Sequence, residues 1–585
     1  MHDKTISKET ERTGAEILAD TLQELGTDYV FAHTGGAVIP VHAEITSRIK
    51  SGKKPFERVI FRQEPGAGHA AEGYAHISKK QGVVLVTSGP GSTNLATPIK
   101  DAHMDSRPAI FITGQVPSNL IGTDAFQENP TYNMTASISK HNYLVKDVKD
   151  LERILNEAFH IATTGRQGPV VVDICKDVFT KKTSAIHKLT SIPGYKVNGS
   201  LSNKAADSLL EALSRAERPI VIGGGGLISC DAPYAFAQFV HNNRLPTALT
   251  FMGSGAIPHD DAYFLGMPGM HGTFTANKAL QNADFILGIG TRFDDRVAGK
   301  EFGKNARIAH VDIDSAEINK VVRADFPLSA DAKLFLDYAN SSDFHCDFKF
   351  GWHDFLNRLK NENLKIYDNN TEYIKPQYVI RLISQLTNKD SIIVTGVGQH
   401  QMWTLQNYNF QFARQWISSG GLGTMGFGLP AAIGAYFGDP AKRVVLIDGD
   451  GSFQMNMQEL GTIAERQIPI KMFIFNNGYL GMVRQWEEMF NGGSGETCLR
   501  RNPNCADDCS ISRYKCDYQN PDFLKLAAAY DIPAVRITEP KEVDFEIKKA
   551  LLHDGPILVD VWIDRKENVL PMVPPGGSLD DMIVE

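Results

Sequence analysis

The stretch Val444-Val445-Leu446-Ile447-Asp448-Gly449-Asp450-Gly451-Ser452, taken with Lys471-Met472-Phe473-Ile474-Phe475-Asn476-Asn477-Gly478, decides the architecture. Val444–Ile447 is an unbroken apolar run, Ile470–Phe475 is apolar but for Lys471, and each ends in turn residues. Such runs predict strands covered on both faces, as in parallel sheets sheathed by helices. A carboxylate and a carboxamide at the carboxyl ends of two parallel strands can meet at one point, and open α/β sheets bind ligands there. Oxygen donors of this kind suit Mg²⁺ or Ca²⁺. The glycines let backbone N–H groups approach an anionic phosphate, which a helix N-terminus also attracts. Gly-Asp-Gly alone is an ordinary turn. Its separation from Asn476-Asn477 by the 24 residues Ser452–Phe475, with a strand before each end, makes the pattern specific.

The same grammar extends outward. Short β-branched runs recur at Val83–Thr87, Ala109–Thr113, Pro169–Ile174, Pro219–Ile222, Phe285–Ile289, Ser391–Thr395 and Ile557–Ile563. Helical patterns such as Gly14–Leu25 and Gln377–Leu386 lie between them. Strand–helix alternation of this kind predicts an α/β protein with mainly parallel sheets covered by helices. Thr183–Asn203 and Phe344–Lys375 are linker-like, the latter in part helical. They divide the chain into expected domains at 1–185, 203–345 and 375–563. Residues 564–585, with Pro571, Pro574, Pro575, Gly576 and Gly577, form a tail or a lid.

With 585 residues the chain can bury several cores, and 42% hydrophobic with 22% charged residues is globular usage. The net charge is −8, from 60 basic and 68 acidic side chains. That balance excludes a general nucleic-acid or anionic-membrane binder but leaves room for a local phosphate pocket. No apolar run reaches the roughly 18 residues of a membrane span. Met1–Thr13 is polar and carries Asp3, Glu9 and Glu11, unlike a secretory or transit peptide. The expectation is a cytoplasmic protein, and a processed organelle protein would look the same. Cys175, Cys230 and Cys346 are scattered and read as reduced thiols.

The Gly-Asp-Gly to Asn-Asn spacing resembles the thiamine-diphosphate enzyme superfamily. The resemblance implies magnesium ligands at Asp450, Asn477 and the backbone carbonyl of Tyr479, with the ion bridging the cofactor's diphosphate. It places Gly398-Gln399-His400 and Gly449-Asp450-Gly451-Ser452 on the diphosphate, with Leu480, Gly481 and Met482 nearby. Thiamine acts through a carbanion at C2 of its thiazolium ring. A desolvated carboxyl must therefore hydrogen-bond N1′ of the aminopyrimidine, so that the 4′-nitrogen can take the C2 proton. Glu64, in Phe61-Arg62-Gln63-Glu64-Pro65-Gly66, fits that position; a helix-capping glutamate is the plain alternative, and Glu72 is the competitor. Gly421-Leu422-Gly423-Thr424-Met425-Gly426 contains GxGxxG, but no clear strand precedes it and no suitable acid follows. The resemblance instead puts Met425 under the cofactor and the Gly423 carbonyl on its 4′-amino group. A core methionine is the bland alternative.

Longer strings narrow the resemblance. Gly114-Gln115-Val116-Pro117, Gly122–Glu128, Lys140–Val145, Gly269–Thr273, Arg292-Phe293-Asp294-Asp295-Arg296-Val297 and Gly478–Trp486 are similar to acetohydroxyacid synthase catalytic subunits. That family condenses the two-carbon unit of pyruvate with pyruvate or 2-oxobutanoate, opening branched-chain amino acid synthesis. It implies a pyrimidine-binding domain, a central FAD domain and a diphosphate-binding domain. Arg296 then meets the substrate carboxylate, and Trp486 packs on the extra methyl group of 2-oxobutanoate. Gly36, Phe126 and Met482 line the same pocket, with Gln127 and Lys176 among its catalytic positions. A surface salt bridge for Arg296 and plain core packing for Trp486 are the alternatives. FAD, which takes no redox part, is expected on Gly224, Gly225, Thr250, Phe251, Met252, Met270, His271, Gly290, Arg292 and Asp312. A simple β–α turn is the alternative for Gly223–Gly226. A homodimer or homotetramer is implied, and a separate small regulatory subunit is a further partner the family allows.

Four places depart from the family pattern. Thr34 stands for proline, Pro65 for glutamine and Cys175 for proline, and Pro65 is expected to stiffen the catalytic loop. The fourth is Asn491–Tyr518, an extended segment holding Cys498, Cys505, Cys509 and Cys516. These four cysteines could bind Zn²⁺, form disulfides or remain free thiols. The rival functions are another thiamine carboligase or decarboxylase, an FAD-free catabolic synthase, and a catalytically silent regulatory paralogue.

Overall fold

The computed structural model describes residues 11–185, 191–197, 200–363, 367–387, 389–492, 497, 499 and 520–584. The chain forms two compact units, one of Met1–Lys196 with Ile433–Pro440 and one of Val197–Ala432 with Ala441–Glu585.

The first unit is built on a six-stranded parallel sheet of Tyr29–Ala32, Glu57–Ile60, Gly82–Val86, Ala109–Gln115, His141–Val145 and Val170–Cys175. Numbered in chain order, its strands lie 2-1-3-4-6-5. Gly82–Val86, Ala109–Gln115 and Val170–Cys175 are buried along their whole length, as the apolar runs predict. One face is covered by Gly14–Glu24 and Val148–Thr163, whose Ile17, Leu18, Leu151 and Leu155 join the sheet's Val83, Ile110 and Val172 in one core. Thr13 and Glu16 form a reciprocal capping box at the start of the first helix, a device of about 1 kcal/mol.

The second unit carries two more parallel sheets. One consists of Pro219–Gly223, Thr247–Leu249, Phe264–Gly266, Phe285–Ile289, Arg307–Asp312 and Phe326–Ser329, in the order 3-2-1-4-5-6. The other consists of Ser391–Thr395, Trp416–Ile417, Arg443–Gly449, Lys471–Asn476, Ala534–Ile537 and Ile557–Trp562, in the order 2-1-3-4-6-5. Several edge strands, such as Phe264–Gly266 and Trp416–Ile417, have no apolar run behind them. They are two or three residues long and exist because a neighbour offers its backbone.

One linker-like stretch is in part helical, as expected, and the tail is structured. Phe344–Lys375 contains the helix Phe350–Glu362, whose Trp352 donates its indole N–H to the Pro219 carbonyl at 3.0 Å. The tail beyond Asp564 packs within its unit. Met572 and Ile583 exchange backbone hydrogen bonds of 2.9 and 2.8 Å, and the Val573 N–H donates to the Met270 carbonyl at 2.8 Å. Val573 and Leu579 enter a core with Ile286 and Trp352. Cys175 and Cys346 are buried and Cys230 half-buried, all as free thiols. Burial pushes the Cys175 thiol up to about 12, which suits an inert core residue. Cys498, Cys505, Cys509 and Cys516 lie outside the described residues.

Candidate active site

In a doubly wound parallel sheet the ligand crevice lies where the strand order reverses, at the carboxyl ends. In the last sheet that point falls between Ser391–Thr395 and Arg443–Gly449, which pair directly. The loops leaving these two strands carry Gly398-Gln399-His400 and Gly449-Asp450-Gly451-Ser452. Asp448 stays inside, accepting from the Gly449 N–H at 2.9 Å, with His400 Nε2 3.4 Å from its Oδ1. A β-carbon at Gly396 would lie 1.8 Å from Asp448 Oδ1, so only glycine fits there. Asp450 turns to the neighbouring strand end. Its Oδ2 accepts the Gly478 N–H at 2.9 Å and an N–H of Asn520. Ser452 Oγ receives the Gly426 N–H at 3.1 Å and the Val397 N–H at 3.3 Å, pinning the glycine loop to the aspartate loop.

Asn477 completes the group. Its Oδ1 accepts the Tyr479 N–H at 3.0 Å and its Nδ2 donates to Gln399 Oε1 at 3.3 Å. A β-carbon at Gly481 would lie 2.1 Å from Gln399 Oε1 and 2.6 Å from Asn477 Nδ2, so glycine permits that contact. The Asp450 carboxylate, the Asn477 carboxamide oxygen and the Tyr479 carbonyl are hard oxygen donors on one loop cluster, a donor set that fits Mg²⁺. Met425 and Leu480 both reach Gly451: a β-carbon there would lie 3.5 Å from Met425 Cε and 2.7 Å from Leu480 Cδ2. Gly423 and Gly426 have φ of +74° and +88°, so this turn, not a dinucleotide fingerprint, explains the glycines. Met482 packs against the sheet's core, and the Trp486 ring meets Phe490 edge-on at 6.0 Å. The Trp486 indole N–H has no hydrogen-bond partner among the described residues.

Glu64 is the first residue of the helix Glu64–Ser78. It is buried, and Asn94 Nδ2 donates to its Oε2 at 3.0 Å. Pro65 follows within the first turn, where its missing N–H would have no helical acceptor. It therefore starts the helix, and the expectation that it stiffens a catalytic loop is corrected. Glu72 lies two turns into the same helix, bonded to His69 Nδ1 at 2.9 Å. Burial and Asp105 push its carboxyl well above the usual range. Gln127, at φ +62°, packs on Gly89, whose β-carbon would lie 2.9 Å from Gln127 Cβ. Gly36, Phe126 and Lys176 are exposed and follow the carboxyl ends of strands in the same sheet, Phe126 being 89% exposed. Within this unit the sheet thus gathers Gly36, Glu64, Phe126, Gln127 and Lys176 at one edge.

In the middle sheet the order reverses between Pro219–Gly223 and Phe285–Ile289, where Gly224 and Gly290 stand. A β-carbon at Gly224 would lie 2.1 Å from the Gly290 carbonyl oxygen, and the Gly226 N–H donates to that oxygen at 3.0 Å. Thr250 donates its N–H to the Gly223 carbonyl at 2.9 Å, and Met252 lies against Gly225. Phe251 meets Trp416 edge-on at 5.3 Å. Asp312 ends its strand, and its carboxylate accepts the Asp314 N–H at 2.9 Å. The Met270 N–H donates to the Arg296 carbonyl at 2.8 Å, and Arg296 NH1 lies 3.0 Å from Met270 Sδ. Arg292 sits 3.4 Å from Asp294. His271 is buried with Nδ1 unpartnered among the described residues, and burial with the Arg296 charge pushes it down to about 4. A glycine crevice with a neutral imidazole and a guanidinium fits a phosphate-bearing aromatic ligand.

Four residues of these sites escaped the sequence analysis. Asn94 and Asn520 carry no spacing signal. Gln485 and the Glu567 carbonyl reach Gln399 at 3.0 Å each. Gln485 did offer a signal, an amide on the apolar side of a helix between Met482 and Trp486, which must find partners when buried.

Residues 12–135 match the family described as the thiamine pyrophosphate enzyme N-terminal TPP binding domain. Residues 206–338 match its central domain and residues 396–561 its C-terminal TPP binding domain. Acetolactate synthase 1, chloroplastic, of Zea mays is 44% identical, covering 98% of this chain and 89% of that protein. The chloroplastic acetolactate synthase of Arabidopsis thaliana is 43% identical, covering 98% and 85%. The acetolactate synthase large subunit of Lactococcus lactis is 41% identical, covering 99% and 97%. No helix among the described residues is long and apolar enough to cross a membrane. With three matched domains and relatives similar end to end, the chain belongs to the acetolactate synthase family of thiamine pyrophosphate enzymes.

Proposed function

We propose that this chain catalyses acetolactate synthesis: decarboxylation of pyruvate and transfer of the two-carbon unit to pyruvate or 2-oxobutanoate. One observation carries the proposal. Similarity to acetolactate synthases spans 98% of the chain, and within it the acid and the oxygen donors keep workable surroundings. Bound thiamine diphosphate supplies the nucleophilic carbon and the electron sink. Everything else falls to the chain. Glu64, steadied by Asn94, holds a proton at the pyrimidine N1′. Asp450, Asn477 and the Tyr479 carbonyl hold Mg²⁺. Gly398, Gln399, His400, Gly449, Gly451 and Ser452 would cradle the diphosphate, and Gly423, Met425, Leu480, Gly481 and Met482 would hold the rest of the cofactor.

Arg296 meets the 2-oxo acid carboxylate, because a small anion is recognised by a guanidinium, and Lys176 keeps the catalytic role that the resemblance gives it. Gly36, Phe126, Gln127, Met482 and Trp486 shape the acceptor pocket. One methylene in such a pocket is worth about 1–3 kcal/mol, so preference for 2-oxobutanoate is moderate. FAD would lie in the middle-sheet crevice on Gly224, Gly225, Thr250, Phe251, Met252, Met270, His271, Gly290, Arg292 and Asp312. The active unit is at least a homodimer, with Glu64 of one chain serving the Asp450 site of another; the exposure of Phe126 beside Gln127 supports it.

The test is a product assay with thiamine diphosphate, Mg²⁺, FAD and equal pyruvate and 2-oxobutanoate, analysed by mass spectrometry. The expected result is 2-aceto-2-hydroxybutanoate in excess over 2-acetolactate. The excess should shrink about tenfold or more on Trp486→Leu. Absence of both products would overturn the proposal.

A further inference from the structure

Asn477, Gln399 and Gln485 form a buried file of three carboxamides. Asn477 Nδ2 donates to Gln399 Oε1 at 3.3 Å, and Gln399 Nε2 donates to Gln485 Oε1 at 3.0 Å. Gln485 is fully buried, and its amide is clamped at the far end by backbone. The Val569 N–H donates to Gln485 Oε1 at 2.8 Å, and Gln485 Nε2 donates to the Val569 carbonyl at 3.0 Å. Gln399 Nε2 has a second acceptor in the Glu567 carbonyl, at 3.0 Å.

A carboxamide can present oxygen or nitrogen to a given point by rotating half a turn, and only its partners decide which. The backbone of Val569 is both donor and acceptor at fixed positions, so it admits one orientation of Gln485. That orientation offers an oxygen to Gln399, whose amide must then donate. Gln399 Oε1 is thereby left to face Asn477, whose Nδ2 must donate in turn. The consequence appears at the last atom: Asn477 turns its Oδ1, not its amide nitrogen, to the Tyr479 N–H at 3.0 Å, on the loop that carries the Tyr479 carbonyl. A flipped Asn477 would present N–H groups to a cation. Gly481 is part of the same device, because a β-carbon there would strike both Gln399 Oε1 and Asn477 Nδ2.

We propose that Gln485 is a positioning residue for the metal site, transmitting the fixed backbone polarity of Val569 through Gln399 to the metal-binding oxygen of Asn477. The proposal rests on the magnesium assignment above and deepens it. It makes the C-terminal strap, through Glu567 and Val569, a determinant of cation affinity although it supplies no ligand. Outer partners that orient a metal ligand typically change affinity 10–100-fold when removed.

The experiment titrates Mg²⁺ into the full chain with saturating thiamine diphosphate, read by intrinsic tryptophan fluorescence, and records thermal unfolding without Mg²⁺. Gln485→Met, which keeps the volume and removes the amide, should raise the half-saturating Mg²⁺ at least tenfold. Gln485→Glu keeps the oxygen that Gln399 donates to, and should raise it less. Gly481→Ala attacks the file from outside and should raise it as Gln485→Met does, so the proposal stays testable if one variant fails to fold. Folded Gln485→Met and Gly481→Ala proteins with wild-type Mg²⁺ half-saturation would overturn the proposal, even with a lowered unfolding midpoint. If the wild-type chain itself shows no Mg²⁺-dependent binding of thiamine diphosphate, the magnesium assignment fails instead.

Discussion

The first and last sheets have the same strand order, 2-1-3-4-6-5, and every pairing in both is parallel. Different residues stand at their equivalent carboxyl ends. After its second strand the first sheet starts a helix with Glu64, a lone acid with one amide donor. At its order reversal the last sheet has two glycine loops around Asp448, Asp450 and Ser452. The scaffold sets where chemistry can be placed, and the loop residues set which chemistry it is.

The comparison extends into the interior. Asp173 and Asp560 both lie fourth in the sixth strand of their sheets. Asp560 is paired with Arg536 at 2.7 Å and accepts Asn476 Nδ2 at 2.9 Å. Among the described residues Asp173 has neutral donors, Thr113 Oγ1 at 2.7 Å and Gln115 Nε2 at 2.9 Å. Burial without a cation pushes Asp173 up to about 7. One sheet pairs its buried acid with a guanidinium, while the other surrounds it with neutral donors and raises its pKa.

Breaking the two edges should have the largest effect and should separate them. Glu64→Gln should lower acetolactate formation by about 10²–10⁴-fold while cofactor binding persists. Asp450→Ala should abolish Mg²⁺-dependent cofactor binding itself. Calorimetric cofactor titration distinguishes the two, and equal losses of binding would erase the division of labour.

The two buried aspartates give the next effect. Asp560→Asn should destabilise by about 2 kcal/mol in urea unfolding, since it leaves Arg536 half-paired beside a neutral amide. Asp173→Asn should have an effect that changes with pH. A folded-state value raised from 3.8 to about 7 means the fold holds the proton more tightly than the unfolded chain. Wild-type stability from this group is therefore lost as pH rises between about 4 and 7. The unfolding midpoint of Asp173→Asn relative to wild type should climb from pH 5 to pH 8. A flat difference would show that Asp173 stays ionised throughout.

The smallest effect is expected at Pro65. Pro65→Ala should cost about 0.5–1 kcal/mol, through the entropy of the unfolded chain, and leave turnover unchanged. A large loss of turnover would restore a role for the proline in the Glu64 loop.

The central strands were legible because their residues are apolar on both faces, and such runs have little choice but a covered parallel sheet. The short edge strands were not, because Trp416–Ile417 and Phe264–Gly266 exist through their neighbours. The oxygen-donor pattern of Asp450 and Asn477 was legible because strand ends can be counted along a chain, and its assignment to magnesium came from family resemblance. Glu64 and the residues proposed for FAD came from family resemblance, since a single acid or a glycine turn has no spacing of its own. The partners of Gln485 and the role of the strap were not legible. Nothing local marks that an amide 86 residues from Gln399 will be its partner, or that Val569, 84 residues further on, will orient it.

The sequence by itself determined the α/β alternation and the oxygen-donor motif, because both follow from side-chain chemistry repeated at short range. Only the tertiary structure decided which strand ends face the order reversals, which buried aspartate has a cation and which lacks one, and which way the amides point. Those choices depend on contacts between distant segments, and a buried polar group accepts only the partner that folding brings to it.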